Sequence, residues 1–346
     1  MSIACEKLTP ATMAEWDAYV AAHPNGSFFH QAAWRGVLER AFGHATYFLI
    51  ARRGPDIVGV LPLAHVKSLL FGQSLISSPF CVYGGPLASD PEALDALTTA
   101  AEAAMAQAGV KVMEWRPRDD LGPLPEGWQV KSGLYVTFRR AISADDDANL
   151  KAIPRKQRAM VRKGIDRGLT SCVDRDVAGL HRIYAESVRN LGTPVFSRRY
   201  FDILAETFAD SMDVLTVRDA GTPVAAVMNF YWRDEVIPYY GGGTAAARAC
   251  HANDFMYWEV MRHAAKRGCL MFDFGRSKTG TGAFSFKKNW GFAPRPLDYR
   301  FRLAPGTEIP DHNPLNPKYR LFIAAWKRLP LPVANLIGPH IVRGVG

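Results

Sequence analysis

The sequence has no run of about 18 apolar residues, the length that a membrane-spanning helix requires. Its five cysteines are an odd number, scattered along the chain without the spacing of a metal site, and its histidines show no metal-ligand spacing either. The first residues lack a basic segment followed by an apolar one, so no signal peptide is predicted. We therefore expect a cytoplasmic protein with reduced thiols and without a metal site.

The length and net charge of the chain indicate how many domains it has and what kind of partner it binds. The chain has 346 residues, of which 48% are apolar, and carries 42 Lys and Arg against 33 Asp and Glu, a net charge of +9. This length exceeds the ~100–200 residues usual for one domain, so we expect two domains. The positive charge indicates an anionic partner such as a phosphate-bearing substrate, RNA or a lipid surface, although a generally basic proteome would give the same balance.

The same order of predicted strands, glycine-rich segments and a helix occurs twice along the chain. Each copy has two alternating strands around a turn rich in Gly, a further strand that ends in clustered glycines, a helix and an apolar strand. The first copy has these features at 45–66, 80–87, 91–109 and 110–118, and the second has them at 212–232, 237–244, 253–268 and 269–277. This recurrence predicts an α+β fold built from two such units. The polar stretch 141–150 is the expected boundary, which gives domains at 1–140 and 141–304 and a tail at 305–346.

The stretch DFGRSKTGTGAFSFKKNWGF, residues 273–292, matches the metal-binding triplet of kinases and a phosphate-binding loop only in part. Its first three letters match a kinase motif, but no His-Arg-Asp catalytic loop and no glycine-rich ATP loop precede them. Gly275 and Gly280 have the spacing of a P-loop, but Thr281 stands where the lysine should be. Kinase and P-loop chemistry are therefore excluded.

The same stretch predicts a strand that ends at Asp273, a flexible glycine loop over 275–282 and then a short strand. Backbone N–H groups of successive glycines can converge on an anion, and basic side chains add charge. The loop residues that we assign to anion binding are Arg276, Lys278 and Gly280. An ordinary mobile surface loop is the alternative interpretation.

Several short motifs together resemble the Fem aminoacyltransferases, which are built from tandem GNAT-like domains. The matching residues are Gln31 and Trp34 in the first half, and Asn253-Asp254, Trp258-Glu259, Asp273-Phe274-Gly275, and Phe286-Lys287 with Trp290 in the second. The segment IPRKQRAMVRKGIDRGL, residues 153–169, resembles the basic helix that opens the family's second domain. The resemblance covers about residues 25–300 and is most specific to the Fem-like proteins of exosortase (PEP-CTERM) systems, which accompany exopolysaccharide synthesis in Gram-negative bacteria.

The resemblance implies N-acyl or aminoacyl transfer to an amine, with no tightly bound cofactor. The implied donor is an aminoacyl-tRNA or an acyl thioester of CoA or of a carrier protein. The implied acceptor is an envelope polysaccharide or a lipid-linked precursor in cell-envelope or exopolysaccharide assembly. A non-catalytic RNA- or glycan-binding relative that keeps the fold is the alternative.

One departure from the family bears on the donor. GNAT enzymes hold the pyrophosphate of CoA with a Q/R-x-x-G-x-G/A loop, and the equivalent segment here, residues 248–253, has neither glycine. Without them the backbone cannot approach a pyrophosphate closely, which favours a tRNA donor. A small thioester, however, needs no large basic surface, so both donors stay open.

Acyl transfer to an amine needs a proton acceptor and stabilisation of an oxyanion. The resemblance places Lys287 beside the scissile ester, where its charge would stabilise the oxyanion; in a strand, Lys288 would face the opposite side. Asp273 is the candidate proton acceptor, and Tyr240 offers a phenol near the same strand ends. A solvated lysine, a hydrogen-bonded carboxylate and a half-buried aromatic ring are the respective alternatives.

Binding residues are predicted in both halves. Arg158 and Arg162 share one helix face with Arg155, at i, i+3 and i+7, and are candidates for donor binding. Gln31, Trp34 and Tyr239 are the candidates for acceptor binding. A solvated basic face and core packing of the tryptophan are the alternatives.

The tail over 316–346 combines apolar and basic residues and is interrupted by prolines. Peripheral contact with the inner face of the membrane is one interpretation of this composition. Docking of the tail on the protein's own domains is the other.

Overall fold

The computed structural model describes residues 2–68, 72–123, 125–310 and 320–345. The chain divides into a first unit of Met1–Leu134, Leu297–His312 and Val342–Gly346 and a second unit of Tyr135–Pro296 and Asn313–Ile341. This division differs from the three contiguous segments expected from the sequence, because two stretches near the C-terminus belong to the first unit.

Strands and helices follow one another in an α+β pattern. The strands are β1 (Ile3–Lys7), β2 (Ala45–Arg53), β3 (Asp56–Ser68), β4 (Gly72–Ser77), β5 (Leu87–Ala88), β6 (Val112–Trp115), β7 (Trp128–Ala141), β8 (Thr170–Asp174), β9 (Met212–Asp219), β10 (Thr222–Trp232), β11 (Glu235–Gly243), β12 (Met271–Lys278) and β13 (Pro294–Leu303). The helices are α1 (Met13–Ala22), α2 (Trp34–Phe42), α3 (Pro91–Ala108), α4 (Asp146–Ala152), α5 (Arg155–Asp166), α6 (Val177–Leu191), α7 (Arg198–Thr207), α8 (Ala245–Ala249), α9 (Ala252–Lys266), α10 (Gly282–Asn289), α11 (Arg320–Trp326) and α12 (Leu331–Val342).

The first unit contains strands in the order β1-β2-β3-β4-β6-β13. The pair β4–β6 is parallel, and the other neighbours in this order are antiparallel. Helix α3 is capped at its start by Asp90, whose side chain accepts a hydrogen bond from the N–H of Ala93, and at its end by Gly109, which has a φ of 64°. Both ends agree with the sequence, since a carboxylate caps a helix start and glycine adopts the left-handed end. Its Leu97 lies in the same buried core as Met113 of β6.

The second unit repeats this arrangement, with strands in the order β7-β12-β11-β10-β9-β8. Here β11 and β12 form the parallel pair, and the other neighbours are antiparallel. The sequence β2-β3-β4-α3-β6 therefore recurs as β9-β10-β11-α9-β12. Phe255 and Met261 of α9 share a buried core with Phe272 of β12 and with Trp290.

The strand that follows each repeat pairs outside its own half of the sequence. Strand β7 follows β6 in the chain but pairs with β12, with Arg139 opposite Asp273. Strand β13 follows β12 but pairs with β6, with Arg300 opposite Trp115. Each core sheet is thus completed by a strand from the other half of the chain.

The strand predicted at 80–87 is wrong for most of its length. Residues 78–86 are irregular, since Ser78 and Phe80 have φ values of 40° and 68°, a region that strands do not use. The strand before α3 that corresponds to β11 is instead β4, which ends at Ser77.

The predicted glycine loop over 275–282 and the strand after it are also corrected. Strand β12 does not end at Asp273 but continues to Lys278. The segment bearing Lys287 and its neighbouring lysine is the helix α10, whose N-cap Thr281 accepts a hydrogen bond from the N–H of Phe284 at 3.3 Å. The two lysines are therefore neighbours on a helix and do not alternate across a sheet.

The C-terminal helices α11 and α12 pack against the rest of the second unit. Trp326 and Ala334 are buried, and a Cβ atom on Gly338 would lie 3.0 Å from the backbone of Val195. The alternative of docking on the protein's own domains is therefore observed for one side of these helices, which packs against the rest of the second unit. Residues 311–319 and 346 of the predicted tail (305–346) lie outside the described residues. In the portion of the chain that the structure describes, no helix is long and apolar enough to cross a membrane.

Candidate active site

The two central parallel strands of the second unit separate soon after they pair. Strands β11 and β12 are in register at Glu235–Met271 and Val236–Phe272, and within the described residues no later pair joins them. On its other side β11 stays paired with β10 as far as Gly243. Where parallel strands diverge, the backbone N–H and C=O groups of both facing edges become available to hydrogen-bond a bound extended chain.

A buried ionic cluster lies where the strands begin to diverge. Asp273 is fully buried, and its Oδ1 accepts a hydrogen bond from the N–H of Gly275 at 2.6 Å. Arg139 of β7 places its Nε 3.3 Å from Oδ2 of Asp273 and donates through Nη2 to the carboxylate of Glu235. Because buried charges need compensation, one guanidinium here holds two carboxylates. Sequence reasoning missed Arg139 and Glu235, since neither belongs to a recognisable motif.

Lys287 reaches from α10 back to β12. Its Nζ donates to the carbonyl oxygens of Phe274, Gly275 and Arg276 at 2.6, 3.2 and 3.0 Å. These residues span the register shift at which β12 bulges against β7, between Asp273 and Arg276. Burial lowers the pKa of Lys287 to about 7; the Asp273 carboxylate opposes this shift, and the Arg276 guanidinium adds to it. The structure thus brings the predicted residues Lys287 and Asp273 to the same bulge.

Tyr240 and Tyr239 lie on β11, across the divergence from this bulge. Tyr240 is buried, and its hydroxyl forms a 2.8 Å hydrogen bond with the hydroxyl of Tyr200. Its ring makes edge-on contacts with Tyr184 and Phe201, so it belongs to an aromatic cluster. Tyr239 is only partly buried, which leaves it the more accessible of the two phenols.

The three glycines that end β11 allow close packing on both sides of the strand. A Cβ atom on Gly242 would lie 2.5 Å from Cβ of Ser187 in α6. A Cβ atom on Gly243 would lie 2.7 Å from Oδ1 of Asn253 in α9. The glycines therefore let α6 and α9 approach the end of the strand.

We expect Gly242→Ala to lower the free energy of unfolding by about 1–3 kcal/mol, because the added methyl group would overlap Ser187. Gly36→Ala in α2 is the matched control, since a Cβ atom there meets nothing within 4 Å. That control should raise stability by about 0.5–1 kcal/mol, as alanine does in a helix interior. Urea denaturation measures both, and equal effects at the two positions would contradict the packing explanation.

The basic helix expected from the sequence is α5. Arg162 is exposed, and Arg158 is partly buried and donates to the carbonyl oxygen of Lys151 at 3.3 Å. The opposite side of α5 packs on α9, where a Cβ atom on Gly164 would lie 2.9 Å from Cβ of Phe255. The helix therefore presents positive charge away from its packed side.

Arg276 and Lys278 lie beside one aromatic ring at the end of β12. Their charged groups are 4.6 and 5.4 Å from the centre of the Tyr135 ring, within the range of cation–π contacts. Gly280 follows in the turn before α10, with a φ of 79° that favours glycine. The three predicted anion-binding residues thus belong to one strand end and its turn.

Gln31 and Trp34 belong to the first unit. Both side chains donate to the carbonyl oxygen of Phe28, at 3.0 Å each, and Trp34 is buried. These bonds close the turn that leads into α2. Their role in acceptor binding stays a prediction.

A second buried cluster of the second unit surrounds Asp213. Its carboxylate accepts hydrogen bonds from Asn229 at 2.8 Å and Tyr231 at 2.7 Å and lies 3.1 Å from Nε2 of His263. Burial favours the neutral carboxyl, but these partners hold the pKa of Asp213 below its usual range. Among the described residues, no group of three His, Cys, Asp or Glu could hold a metal ion.

Residues 151–288 match a protein family described as "Acetyltransferase (GNAT) domain". The matched segment includes α5, the strands that diverge, Asp273 and Lys287. No curated protein matches the sequence. The second unit therefore contains an acyltransferase domain of the GNAT type.

Solved structures share the fold of the chain at low sequence identity. The structure of FemX matches 92% of this chain and 100% of its own, with a TM-score of 0.65 and 16% identity. A tandem GNAT protein from the clavulanic acid biosynthesis pathway matches 89% of this chain and 100% of its own, with a TM-score of 0.55 and 12% identity. L-PGS from Bacillus licheniformis matches 96% and 98%, with a TM-score of 0.54 and 14% identity. The expected fold, α+β with tandem GNAT-like units, is confirmed.

Proposed function

We propose that the protein transfers an acyl or aminoacyl group from an activated donor to an amine, at the divergence of β11 and β12. The observation that carries this proposal is the bulge of β12. There Lys287, Asp273 and Arg139 meet at the point where the two parallel strands separate, inside the GNAT-type segment.

The reaction joins the carbonyl carbon of the donor to the amine nitrogen and releases the carrier as a thiol or a hydroxyl group. The separated strand edges would bind the extended portion of the donor through backbone hydrogen bonds. Lys287 holds the three carbonyl oxygens of the bulge, so that the neighbouring backbone keeps its direction. In its protonated form, its charge would also favour a developing oxyanion. Arg139 fixes the carboxylate of Asp273, the proposed proton acceptor. Tyr239, which is more accessible than Tyr240, is the phenol that we propose contacts the acceptor.

Two classes of donor are proposed, and in both the acyl group is attached to an anionic carrier. The first is an aminoacyl-tRNA. The exposed basic side of α5 supports it, because a row of arginines and lysines suits a phosphate backbone. The segment before α9 also lacks the glycines of a pyrophosphate loop; it forms the short helix α8 and a left-handed residue, His251. The match to an acetyltransferase family favours the second donor, an acyl thioester.

We expect total aminoacyl-tRNA to bind in a filter assay with an affinity that falls steeply as salt rises, since each neutralised phosphate releases a counterion. The double variant Arg158→Glu/Arg162→Glu should weaken this binding roughly tenfold or more at low salt. Lys111→Glu/Lys266→Glu, which reverses two exposed charges outside α5, is the matched control.

A thiol-release assay with mixed acyl-CoAs runs beside the filter assay. Robust thiol release without RNA binding would assign the donor to the thioester class. Inactivity with every donor would instead favour a non-catalytic RNA- or glycan-binding protein with this fold.

The proposed acceptor is an envelope polysaccharide or lipid-linked precursor, made in cell-envelope or exopolysaccharide assembly. We propose this acceptor from the sequence resemblance. On the same basis we propose that the protein belongs with exosortase systems and acts in the cytoplasm. A mass-spectrometric comparison of envelope polymers from cells with and without the protein would identify the acceptor.

A further inference from the structure

The C-terminal helices carry charge of one sign. Residues 320–345 include Arg320, Lys327, Arg328 and Arg343 and contain no Asp or Glu. The first three of these basic residues are exposed and belong to α11 or to the turn after it. A surface of this composition is complementary to an anionic partner.

Helix α12 packs its small residues inward and its large apolar residues outward. Ala334 and Gly338 lie on the packed side, and the glycine fits against the backbone of Val195. The outward side presents Leu336, whose exposed fraction is 72%, with Ile337 at 40% beside it. A helix on the surface of a water-soluble domain normally has the reverse pattern, with its apolar stripe against the core.

Helix α11 also exposes apolar side chains. Leu321 is 84% exposed, and Phe322 is also exposed, whereas Trp326 is buried. The turn between the helices is held to α6 by Arg189, which donates to the carbonyl oxygens of Lys327 and Leu329 at 3.4 Å each. The exposed apolar side chains therefore sit on helices that are fixed to the domain.

We infer that the outward faces of α11 and α12 dock the protein on an anionic lipid bilayer. Apolar side chains flanked by lysine and arginine allow a helix to lie in the plane of the membrane interface. The basic residues are attracted to the negative surface potential of anionic lipids. The proposed contact is peripheral, with the helices lying in the plane of the membrane interface.

The positive charge of α11 and α12 favours an anionic bilayer over a second copy of the chain as the partner of this surface. A two-fold symmetric dimer would place the same surface patch of each copy against the other. That contact would bring Arg320, Lys327 and Arg328 close to their own counterparts, with no acidic residue of α11 or α12 to balance them. An anionic membrane supplies the missing negative charge.

Vesicle sedimentation with the full-length protein tests the inference. We expect binding to vesicles of phosphatidylcholine with phosphatidylglycerol and much weaker binding to phosphatidylcholine alone. Leu336→Glu/Ile337→Glu should reduce binding to the anionic vesicles roughly tenfold or more, because it places charge in the apolar contact. Leu270→Glu is the matched control, an exposed leucine at 58% outside these helices, and should bind like the unaltered protein.

The basic residues are tested separately. Lys327→Gln/Arg328→Gln should weaken binding to the anionic vesicles and reduce its salt dependence, without changing the weak binding to phosphatidylcholine. Equal binding by the unaltered protein and both double variants would overturn the inference. A concentration-dependent dimer that Leu336→Glu dissociates, with no vesicle binding, would assign the surface to a second copy. None of these measurements depends on acyl transfer, so their failure leaves the proposed function standing.

Discussion

Lys287→Met should remove most of the transfer activity and also weaken the fold. The substitution keeps a long side chain but deletes the three hydrogen bonds to the bulge of β12. A buried polar group left without a partner costs about 1–3 kcal/mol, so we expect the free energy of unfolding to fall by roughly 3 kcal/mol or more. The bulge would then shift, and a displacement of about 1 Å at a reacting centre lowers kcat/KM roughly 100-fold.

The control for this prediction is in the same helix. Lys288 is exposed, and Lys288→Met should change stability by less than about 0.5 kcal/mol and leave transfer unaffected. Urea denaturation and a transfer assay measure both variants. Full activity in Lys287→Met would remove this lysine from the mechanism.

The same variant has a defined pH signature. Burial lowers the pKa of Lys287 from the ordinary 10.5 to about 7 in the folded protein. Between these values the unfolded chain binds the proton and the folded protein does not, so stability rises with pH across this window. Below the folded pKa the full cost of burying the charged ammonium is present. The stability advantage of the unaltered protein over Lys287→Met should therefore be larger at pH 9 than at pH 6, and a pH-independent difference would contradict the assignment.

Arg139→Ala should strongly destabilise the second unit. It leaves the fully buried Asp273 and the largely buried Glu235 without their shared cation. Breaking a buried ion pair by removing one partner costs about 3–5 kcal/mol, because the remaining charge is uncompensated. A domain whose total stability is about 5–15 kcal/mol would lose a large share of it.

An exposed ion pair provides the comparison. Arg198 contacts Asp202 one turn along α7, and both side chains are about half exposed. Arg198→Ala should cost no more than about 0.5 kcal/mol, since water and salt screen such pairs. Chemical denaturation measures the free energy of unfolding of both variants. If Arg139→Ala lowers it by less than about 1 kcal/mol, water reaches the ionic cluster and the prediction is wrong.

The features of the fold that depend on local chemistry were predictable. The strands β9 and β10 alternate around a turn in which Ala220 and Gly221 have φ values of 46° and 82°, the geometry of a tight hairpin. Asp90 and Gly109 mark the two ends of α3 for similarly local reasons. Such signals need only neighbouring residues, so the duplicated order of elements could be predicted along the chain.

The features that depend on distant residues could not be predicted. Phe284 and Phe286 alternate as in a strand, yet α10 is a helix, because Thr281 caps it and Lys287 binds carbonyl oxygens of another element. Arg139 has no motif, and its importance comes from the register that places it opposite Asp273. The resemblance identified Lys287 and Asp273, but only the packed structure shows that they meet at one bulge.

The exchange of β7 and β13 has a consequence for how the chain matures on the ribosome. Strand β6 emerges early, but the edge that receives Arg300 to Leu303 stays open until almost the whole chain has been synthesised. An open strand edge can pair with a neighbouring nascent chain, and long-range strand pairing is slow to form. The half that is translated first is therefore the last to be completed, and a fragment ending at residue 140 would lack the strand that closes its own sheet.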